Sequence, residues 1–181
     1  DQAIAGMNGD FSDYDGFESG TKIMNFDAAW ARGFNGKGQA VGISDTGLDT
    51  GNKATSHNDL KRRIYKGYGY GMFSKHWKDP IGHGTHVAGS VAATGAESDG
   101  RVLGGAHGAN LIPQGMWSDM MNNLSVPPQL SDMLTPAYND GARVHTNSWG
   151  SPQNLGAYAG MSVQVDEFMY NHPEMLILFA A

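Results

Sequence analysis

Apolar residues along the chain concentrate in four short segments, each the length of a β-strand. The four segments are residues 39–44, 110–114, 142–146 and 175–180. The stretches between them carry patterns typical of helices: small residues at 84–93, a starting proline at 128–140, and apolar residues at helical spacing across 160–171. Strands that alternate with helices predict right-handed crossovers and an α/β fold with a mostly parallel sheet.

Local signals refine this prediction at several positions. Asn25 and Gly33 are suited to begin and end a short helix across residues 26–32. Pro136 interrupts the second of the helical patterns and predicts a kink there. The near-continuous apolar segment 175–180 is typical of a strand that is buried on both faces.

Composition and charge narrow the class of protein. Residues 1–20 are polar and acidic, so we expect an N-terminal arm there and a single domain over 21–181. Apolar residues make up 40% of the chain and charged residues 17%, a globular balance. The net charge is −6 and basic residues cluster only at 61–63, so no nucleic-acid partner is expected. The longest apolar run is too short to cross a membrane. The first residues do not show a charged-then-apolar pattern, so we expect that any secretion signal has been removed or was never present. The absence of cysteine excludes disulfides, thiolate metal sites and a cysteine nucleophile.

The first candidate functional residue is Asp45, in the triplet Asp45-Thr46-Gly47 directly after the first predicted strand. Open α/β sheets gather their functional groups at the carboxyl ends of strands. A buried carboxylate there needs hydrogen-bond donors to stay ionised, and Thr46 with the N–H groups of the turn can supply them. The triplet alone leaves three interpretations open: a catalytic aspartate, half of an aspartic-protease pair completed by a second copy, or a capped turn.

The second candidate is His83, at the start of the small-residue helix. The positive end of the helix dipole disfavours imidazolium there, so the ring is expected to be neutral and able to accept a proton. We expect Gly84 to leave space for substrate beside the ring. His86 raises the alternative of a metal-binding pair, but zinc-protease helices place two histidines four residues apart with a glutamate between them. We therefore interpret His86 as a structural histidine.

Two sequence blocks, QAVGISDTGLD at 39–49 and GHGTHVAGSVA at 82–92, resemble the aspartate and histidine blocks of the subtilases. Their order, aspartate before histidine, is the order in subtilisin. VHTNSWG at 144–150 is similar to the substrate-strand block of that family, and MLILFAA at 175–181 to the strand before its oxyanion asparagine. Within that family, these sequence blocks most resemble those of the large, oxidatively stable alkaline subtilases. The resemblance implies a three-layer, subtilisin-like α/β fold with a mostly parallel central sheet, of which this chain contains the N-terminal portion.

The same resemblance implies roles for individual residues in a serine endopeptidase. Asp45 orients the imidazole, and His83 is the general base and acid in a reaction that passes through an acyl-enzyme. Ser148, Trp149 and Gly150 form an edge whose backbone pairs with extended polypeptide substrate. A second substrate edge is expected within residues 120–126.

The nucleophilic serine and the oxyanion asparagine of the family correspond to positions beyond residue 181. The resemblance therefore implies a C-terminal remainder of the same protease as a partner. Ser148 is not expected to replace that serine, because Thr146 stands where a nucleophile elbow has its first glycine. The elbow also requires a helix directly after the strand, and the next predicted helix begins about ten residues later.

Asp59, in SHNDL at 56–60, resembles a calcium ligand of the family. A structural calcium ion is one interpretation of this residue, and a solvated carboxylate is the other. Residues 97–104, which would complete the site, depart from the family pattern. The resemblance implies no cofactor for catalysis and an extracellular location. The alternative function is an inactive, subtilase-like binding module, which the retained Asp45 and His83 disfavour.

Overall fold

The computed structural model describes residues 20–73, 75–151 and 156–180. The predicted N-terminal arm therefore lies outside the described residues, apart from Gly20. The helices are α1 (Gly20–Ile23), α2 (Phe26–Ala31), α3 (Asn58–Lys61), α4 (His83–Ala92), α5 (Ser131–Asn139) and α6 (Gly160–Asn171). The strands are β1 (Ala40–Asp45), β2 (Tyr68–Gly69), β3 (Asn110–Gly115), β4 (Trp117–Ser118), β5 (Asn123–Leu124), β6 (Ala142–Asn147) and β7 (Leu176–Phe179).

Five strands form the main sheet, in the order β2-β3-β1-β6-β7, and every neighbouring pair is parallel. The central strand β1 pairs with β3 over its full length, with Asp45 opposite Gly115 at the carboxyl end. On its other side β1 pairs with β6, and Ser44 lies opposite Asn147. The short strands β4 and β5 form a separate antiparallel hairpin. The predicted α/β fold with a mostly parallel sheet is confirmed.

Two apolar clusters lie on opposite faces of this sheet, because successive side chains of a strand point to opposite sides. One cluster packs Ile112 and Ile177 of the sheet against Met133 and Leu134 of α5 and against Phe168 of α6. The other packs Val41, Ile43 and Leu111 against Leu60 of α3 and against the small residues Ala88 and Ala92 of α4. Helices on both faces of one sheet make three layers, as predicted.

Helix α5 begins at Ser131, three residues later than the proline signal indicated. The side chain of Gln164 explains this, because its amide binds the peptide groups that would otherwise start the helix: its oxygen accepts from Leu130 N at 2.7 Å and its nitrogen donates to Pro128 O at 3.2 Å. The helix continues through Pro136, which has no N–H for the carbonyl of Asp132. That carbonyl instead accepts the hydroxyl of Tyr70 at 3.1 Å.

Two further expectations differ from the structure. Asn25 is the N-cap residue of α2, as predicted, but it has a left-handed conformation (φ 58°) and its side chain makes no capping hydrogen bond. Strand β7, the outermost strand of the described sheet, is buried on one face only. Ile177 belongs to the cluster with Phe168 and is 8% exposed, whereas Leu176 and Leu178 point to the opposite face, belong to neither apolar cluster and are 47% and 46% exposed.

Candidate active site

Asp45 ends the central strand and is 1% exposed. Its Oδ1 accepts hydrogen bonds from Thr46 N at 2.7 Å and from Nδ1 of His83 at 2.7 Å, and Thr46 Oγ1 lies 3.2 Å away. Its Oδ2 is buried and has no hydrogen-bond partner among the described residues. The expectation that Thr46 and the turn supply donors to this carboxylate is confirmed.

His83 is the first residue of α4, and the side chain is 47% exposed. A carboxylate only accepts hydrogen bonds, so Nδ1 of the neutral ring carries the hydrogen that Asp45 receives. Nε2 is then the acceptor nitrogen of the ring. The structure thus brings the two candidate residues together, with the carboxylate sealed inside the fold and the imidazole accessible beside it.

Gly84 contacts the turn after β1 and does not serve as a space for substrate. A Cβ at this position would lie 2.2 Å from the backbone carbonyl oxygen of Gly47 and 3.0 Å from the side-chain Cβ of Asp45. The N–H of Gly84 donates to Thr46 Oγ1 at 2.9 Å. The glycine therefore lets the start of α4 approach the end of β1 closely enough for His83 to reach Asp45.

Asp79 is a residue of this region that the sequence analysis missed. Its Oδ1 accepts from Thr46 Oγ1 at 2.8 Å, from Gly82 N at 2.8 Å and from Ile81 N at 3.1 Å. Its Oδ2 accepts from the N–H and the hydroxyl of Thr85, at 2.8 Å and 2.6 Å. The signal that could have revealed it is an aspartate shortly before a helix, which is typical of a capping carboxylate.

The pKa of Asp79 reflects two opposed effects. Burial raises the pKa, but the hydrogen bonds from Thr85, Gly82 and Thr46 outweigh burial and lower it below its ordinary value. Asp79 is held in place by its own backbone, because its N–H donates to Asp49 O at 2.9 Å. A second anionic carboxylate therefore lies next to the Asp45–His83 pair and shares Thr46 with it.

The segment Ser148-Trp149-Gly150 directly follows β6, so it lies at the same edge of the sheet as Asp45. Nε1 of Trp149 donates to Ser44 O at 3.1 Å, and its ring meets that of Phe179 edge-on at 5.1 Å. Gly150 is exposed, and nothing lies within 4 Å of a Cβ built on it. Trp149 therefore anchors this segment while its backbone remains near the surface.

The hairpin β4–β5 covers most of the stretch in which a second substrate edge was expected. It begins directly beside the site, since Met116 N donates to Asp45 O at 2.8 Å. Met120 and Met121, at its tip, are exposed. Ser148 does not lie at a strand-to-helix corner, because the next helix of the described chain begins at Gly160.

A buried polar cluster on the other face of β1 was also missed. His145 is fully buried, and its Nδ1 lies 3.1 Å from Nδ2 of Asn147, which also donates to Leu178 O at 3.1 Å. Nε2 of His145 lies 2.9 Å from Oε1 of Gln114, which accepts the hydroxyl of Ser44 at 2.5 Å. The amide nitrogen donates to Nδ1, so Nε2 carries the hydrogen. Burial lowers the pKa of His145 to about 3.

Asp59 and His86 lie away from the Asp45–His83 contact. Asp59 Oδ1 accepts from Glu97 N at 3.1 Å, and its backbone carbonyl accepts from Thr94 N at 3.2 Å, so this residue ties α3 to the following loop. Calcium takes about six to eight oxygen ligands, and the oxygens near Asp59 include Oγ1 of Thr94, 3.5 Å from Asp59 Oδ1. A structural calcium ion at Asp59 stays a prediction. His86 is exposed on α4, which contradicts its interpretation as a structural histidine.

None of the helices in the described ranges is both long and apolar enough to span a membrane. In those ranges the structure also contains no cluster of three or more histidine, aspartate or glutamate side chains arranged to hold a metal ion.

An α/β sheet that presents an aspartate–histidine pair at the carboxyl end of its central strand is an arrangement that serine hydrolases use. A family model described as the subtilase family matches residues 36–181. The chain belongs to the subtilase family.

Curated relatives and a solved structure agree with this assignment. The serine protease/ABC transporter B family protein tagD of Dictyostelium discoideum is 38% identical over 162 residues, which cover 81% of this chain and 9% of the relative. The major intracellular serine protease of Bacillus subtilis (strain 168) is 37% identical over 109 residues, 58% of this chain and 32% of the relative. The crystal structure of MycP1 with the N-terminal propeptide removed has a TM-score of 0.62 at 19% identity, covering 88% of this chain and 47% of that chain, and shows the shared fold.

The chain thus spans less than half the length of each of these proteins. By their names, the relatives include both intracellular and extracellular proteases.

Proposed function

We propose that this chain is the N-terminal portion of the catalytic domain of a subtilisin-like serine endopeptidase, in which Asp45 and His83 are two members of the catalytic triad. The observation that carries the proposal is the 2.7 Å contact between Nδ1 of His83 and Oδ1 of Asp45. The contact joins a half-exposed ring to a carboxylate whose side chain is 2% exposed. A buried carboxylate on Nδ1 and an accessible Nε2 are the two properties that a general base for a serine hydroxyl needs.

In the proposed reaction, Nε2 of His83 accepts the hydroxyl proton of a serine while the serine oxygen attacks the carbonyl carbon of the scissile peptide bond. Asp45 holds the ring in the required tautomer and stabilises the imidazolium that forms. His83 then gives the proton to the leaving amine, the C–N bond breaks, and an acyl-enzyme remains. Water activated by the same ring hydrolyses the ester. The serine and the oxyanion donors belong, in this proposal, to the C-terminal remainder of the protease.

The proposed substrate is an extended polypeptide. Ser148, Trp149 and Gly150 are the proposed edge that pairs with its backbone, and the β4–β5 hairpin is the proposed opposite edge. Trp149 supports this role because its indole N–H fixes the segment to the carbonyl of Ser44, next to Asp45 along β1. Met120 and Met121 support the role of the hairpin, since they are apolar side chains exposed at the tip of a hairpin that begins directly after a residue hydrogen-bonded to Asp45, and such side chains suit contact with substrate.

The proposal includes no cofactor in the catalytic step. On the sequence resemblance alone, the complete protease is proposed to be extracellular. On the same basis, it is proposed to be most similar to the oxidatively stable alkaline subtilases. A subtilase-like binding module without catalysis is the competing function, and the intact Asp45–His83 contact favours the enzyme.

The test compares two histidines of the same helix in the complete protease. His83→Ala is expected to lower kcat for a chromogenic peptide by about four to six orders of magnitude. His86→Ala is the matched control, because His86 is exposed on the same helix, and it is expected to keep kcat per folded molecule. Near-native turnover by His83→Ala would contradict the proposal. Peptide binding by the parent enzyme without hydrolysis would instead establish the binding module.

A second arm uses a fluorophosphonate, which labels activated serines. Residues 1–181 alone are expected to remain unlabelled, and the mixture with the separately produced remainder is expected to be labelled on the remainder. Label on residues 1–181, with Ser148 as the candidate position, would overturn the assignment of the serine to the remainder.

A further inference from the structure

The hydroxyl of Thr46 lies between two carboxylates, and it has one hydrogen to donate. Asp79 Oδ1 lies 2.8 Å from Thr46 Oγ1, whereas Asp45 Oδ1 lies 3.2 Å from it. The hydroxyl oxygen already accepts the N–H of Gly84 at 2.9 Å, which restricts its rotation. The shorter distance assigns the hydrogen to Asp79. Asp45 Oδ1 is then left with the N–H of Thr46 and the ring of His83 as its donors.

Asp79 also fixes the point at which α4 begins. The first N–H groups of a helix have no partner within the helix. Asp79 accepts three backbone N–H groups at this end, those of Ile81, Gly82 and Thr85. His83 lies between Gly82 and Thr85 in the chain, so the same carboxylate sets the position of the His83 backbone on both sides.

We propose that Asp79 is a positioning residue of the Asp45–His83 pair: it orients the Thr46 hydroxyl away from Asp45 and holds the first turn of α4, so that Asp45 remains a strong acceptor for His83. This inference rests on the proposed protease function for its kinetic consequence. Its electrostatic consequence, a stronger attraction between Asp45 and protonated His83, is independent of turnover. The carboxylate of Asp79 contributes its own negative charge to the same effect.

The charge of Asp79 is compatible with this role. Its pKa is below the ordinary value because the hydrogen bonds from Thr85, Gly82 and Thr46 outweigh burial, so the group is ionised at neutral pH. Asparagine has one acceptor oxygen and a donor amide, so Asp79→Asn leaves an amide N–H opposed to the N–H of Thr85 or of Gly82. It also removes the anion that holds the Thr46 hydroxyl.

The test measures the protonation of His83 directly in the complete protease. Histidine labelled with ¹⁵N in the ring is titrated by NMR, and the His83 signal is assigned by its loss in His83→Ala. Asp79→Asn is expected to lower the titration midpoint of His83 by roughly 0.5 to 1 pH unit. The pH midpoint of the acid limb in the kcat/KM profile is expected to fall by the same amount. Asp49→Asn is the matched charge control, because Asp49 Oδ2 caps the N–H of His57 and the left-handed conformation of Asp49 (φ 46°) suits asparagine. It is expected to leave the midpoint unchanged.

A double-mutant comparison separates the path through Thr46 from a general effect of charge. On a Thr46→Val background, which lacks the hydroxyl, the shift caused by Asp79→Asn is expected to fall to half or less. The inference would be overturned by an Asp79→Asn enzyme that loses kcat or stability while the His83 titration midpoint stays unchanged. It would also be overturned if Asp79→Asn and Asp49→Asn shifted the His83 midpoint equally, or if Asp79→Asn shifted it as much on the Thr46→Val background as in the parent. If the parent does not hydrolyse peptides, the NMR titration still decides the inference while the proposed function falls.

Discussion

The buried histidine of β6 gives the sharpest prediction about stability. His145 is 0% exposed, and both of its ring nitrogens are committed: Nδ1 to the amide of Asn147 and Nε2 to Gln114. Burial lowers its pKa from an ordinary 6.5 to about 3. A proton added to Nδ1 would face the amide N–H of Asn147, so the folded protein resists protonation at this ring.

The sign of the pH dependence follows from linkage. Between pH 6.5 and about 3 the unfolded chain carries a proton on His145 and the folded protein does not. Acid therefore favours the unfolded state throughout this window. One proton bound differently changes the free energy of unfolding by about 1.4 kcal/mol per pH unit. Over the whole window the loss from His145 reaches about 4 to 5 kcal/mol as an upper limit.

The assay is guanidinium unfolding of the complete protease between pH 7.5 and pH 4, with His83→Ala introduced to prevent self-digestion. His145→Gln is expected to be less stable at pH 7.5 by about 1 to 3 kcal/mol, because a buried hydrogen-bond partner is lost. Its stability is expected to fall less steeply below pH 6.5, by about 1.4 kcal/mol per pH unit relative to the parent. His86→Gln, which alters an exposed histidine, is expected to follow the parent. Parallel curves for the parent and His145→Gln between pH 6.5 and pH 4 would refute the reasoning.

Three further predictions concern the site. Asp45→Asn is expected to lower kcat by about three to four orders of magnitude with little change in KM, because it favours the wrong tautomer of His83; steady-state kinetics on a peptide measure this. Gly84→Ala is expected to destabilise the fold by more than about 2 kcal/mol, since its Cβ would lie 2.2 Å from a backbone oxygen. Gly89→Ala on the same helix is the control: nothing lies within 4 Å of its Cβ, so it is expected to be neutral or stabilising by up to about 1 kcal/mol. Trp149→Phe removes the indole N–H and is expected to raise KM more than it lowers kcat; a kcat loss without a KM change would count against the substrate edge.

Much of the fold could be predicted because local patterns determine it. The helix at 160–171 was predicted with its observed ends, and β1, β3 and β6 were predicted to within one residue. The misplaced start of α5 has a non-local cause: Gln164 binds the peptide groups of residues 128–130, and no signal within that stretch indicates a partner more than thirty residues away. The burial of β7 was misjudged because composition records how apolar a strand is, and not which neighbours it has.

The candidate site shows the same difference between residues that local patterns reveal and residues that only long-range contacts reveal. Asp45 and His83 could be predicted because each is part of a recognisable block at the end of an element. Asp79 and His145 were missed because their importance lies in contacts across the fold. Asp79 contacts Thr46, 33 positions earlier, and His145 contacts Gln114, 31 positions earlier. His86 was misjudged because the small residues around it indicated close packing for the whole helix, whereas its own face of α4 is exposed.

The end of β1 explains how one short strand organises both the chemistry and the proposed substrate edges. Side chains of successive strand residues point to opposite faces, so Ser44 joins the buried, neutral cluster of His145 while Asp45 faces His83 on α4. The carbonyl groups of the same two residues are also used. Ser44 O accepts the indole N–H of Trp149 at 3.1 Å, and Asp45 O accepts the N–H of Met116 at 2.8 Å, where the chain enters the β4–β5 hairpin.

Both proposed substrate edges are therefore hydrogen-bonded to β1. One is attached at Asp45, which contacts His83, and the other at Ser44, the residue before it. A displacement of the carboxyl end of β1 would move the aspartate and both edges together. Their spacing therefore depends on the sheet hydrogen bonds of β1 with β3 and β6, and not on the loops themselves. For this reason we expect substitutions that weaken the buried cluster beneath Ser44, such as His145→Gln, to change KM and kcat together even though His145 lies on the opposite face of the sheet from His83.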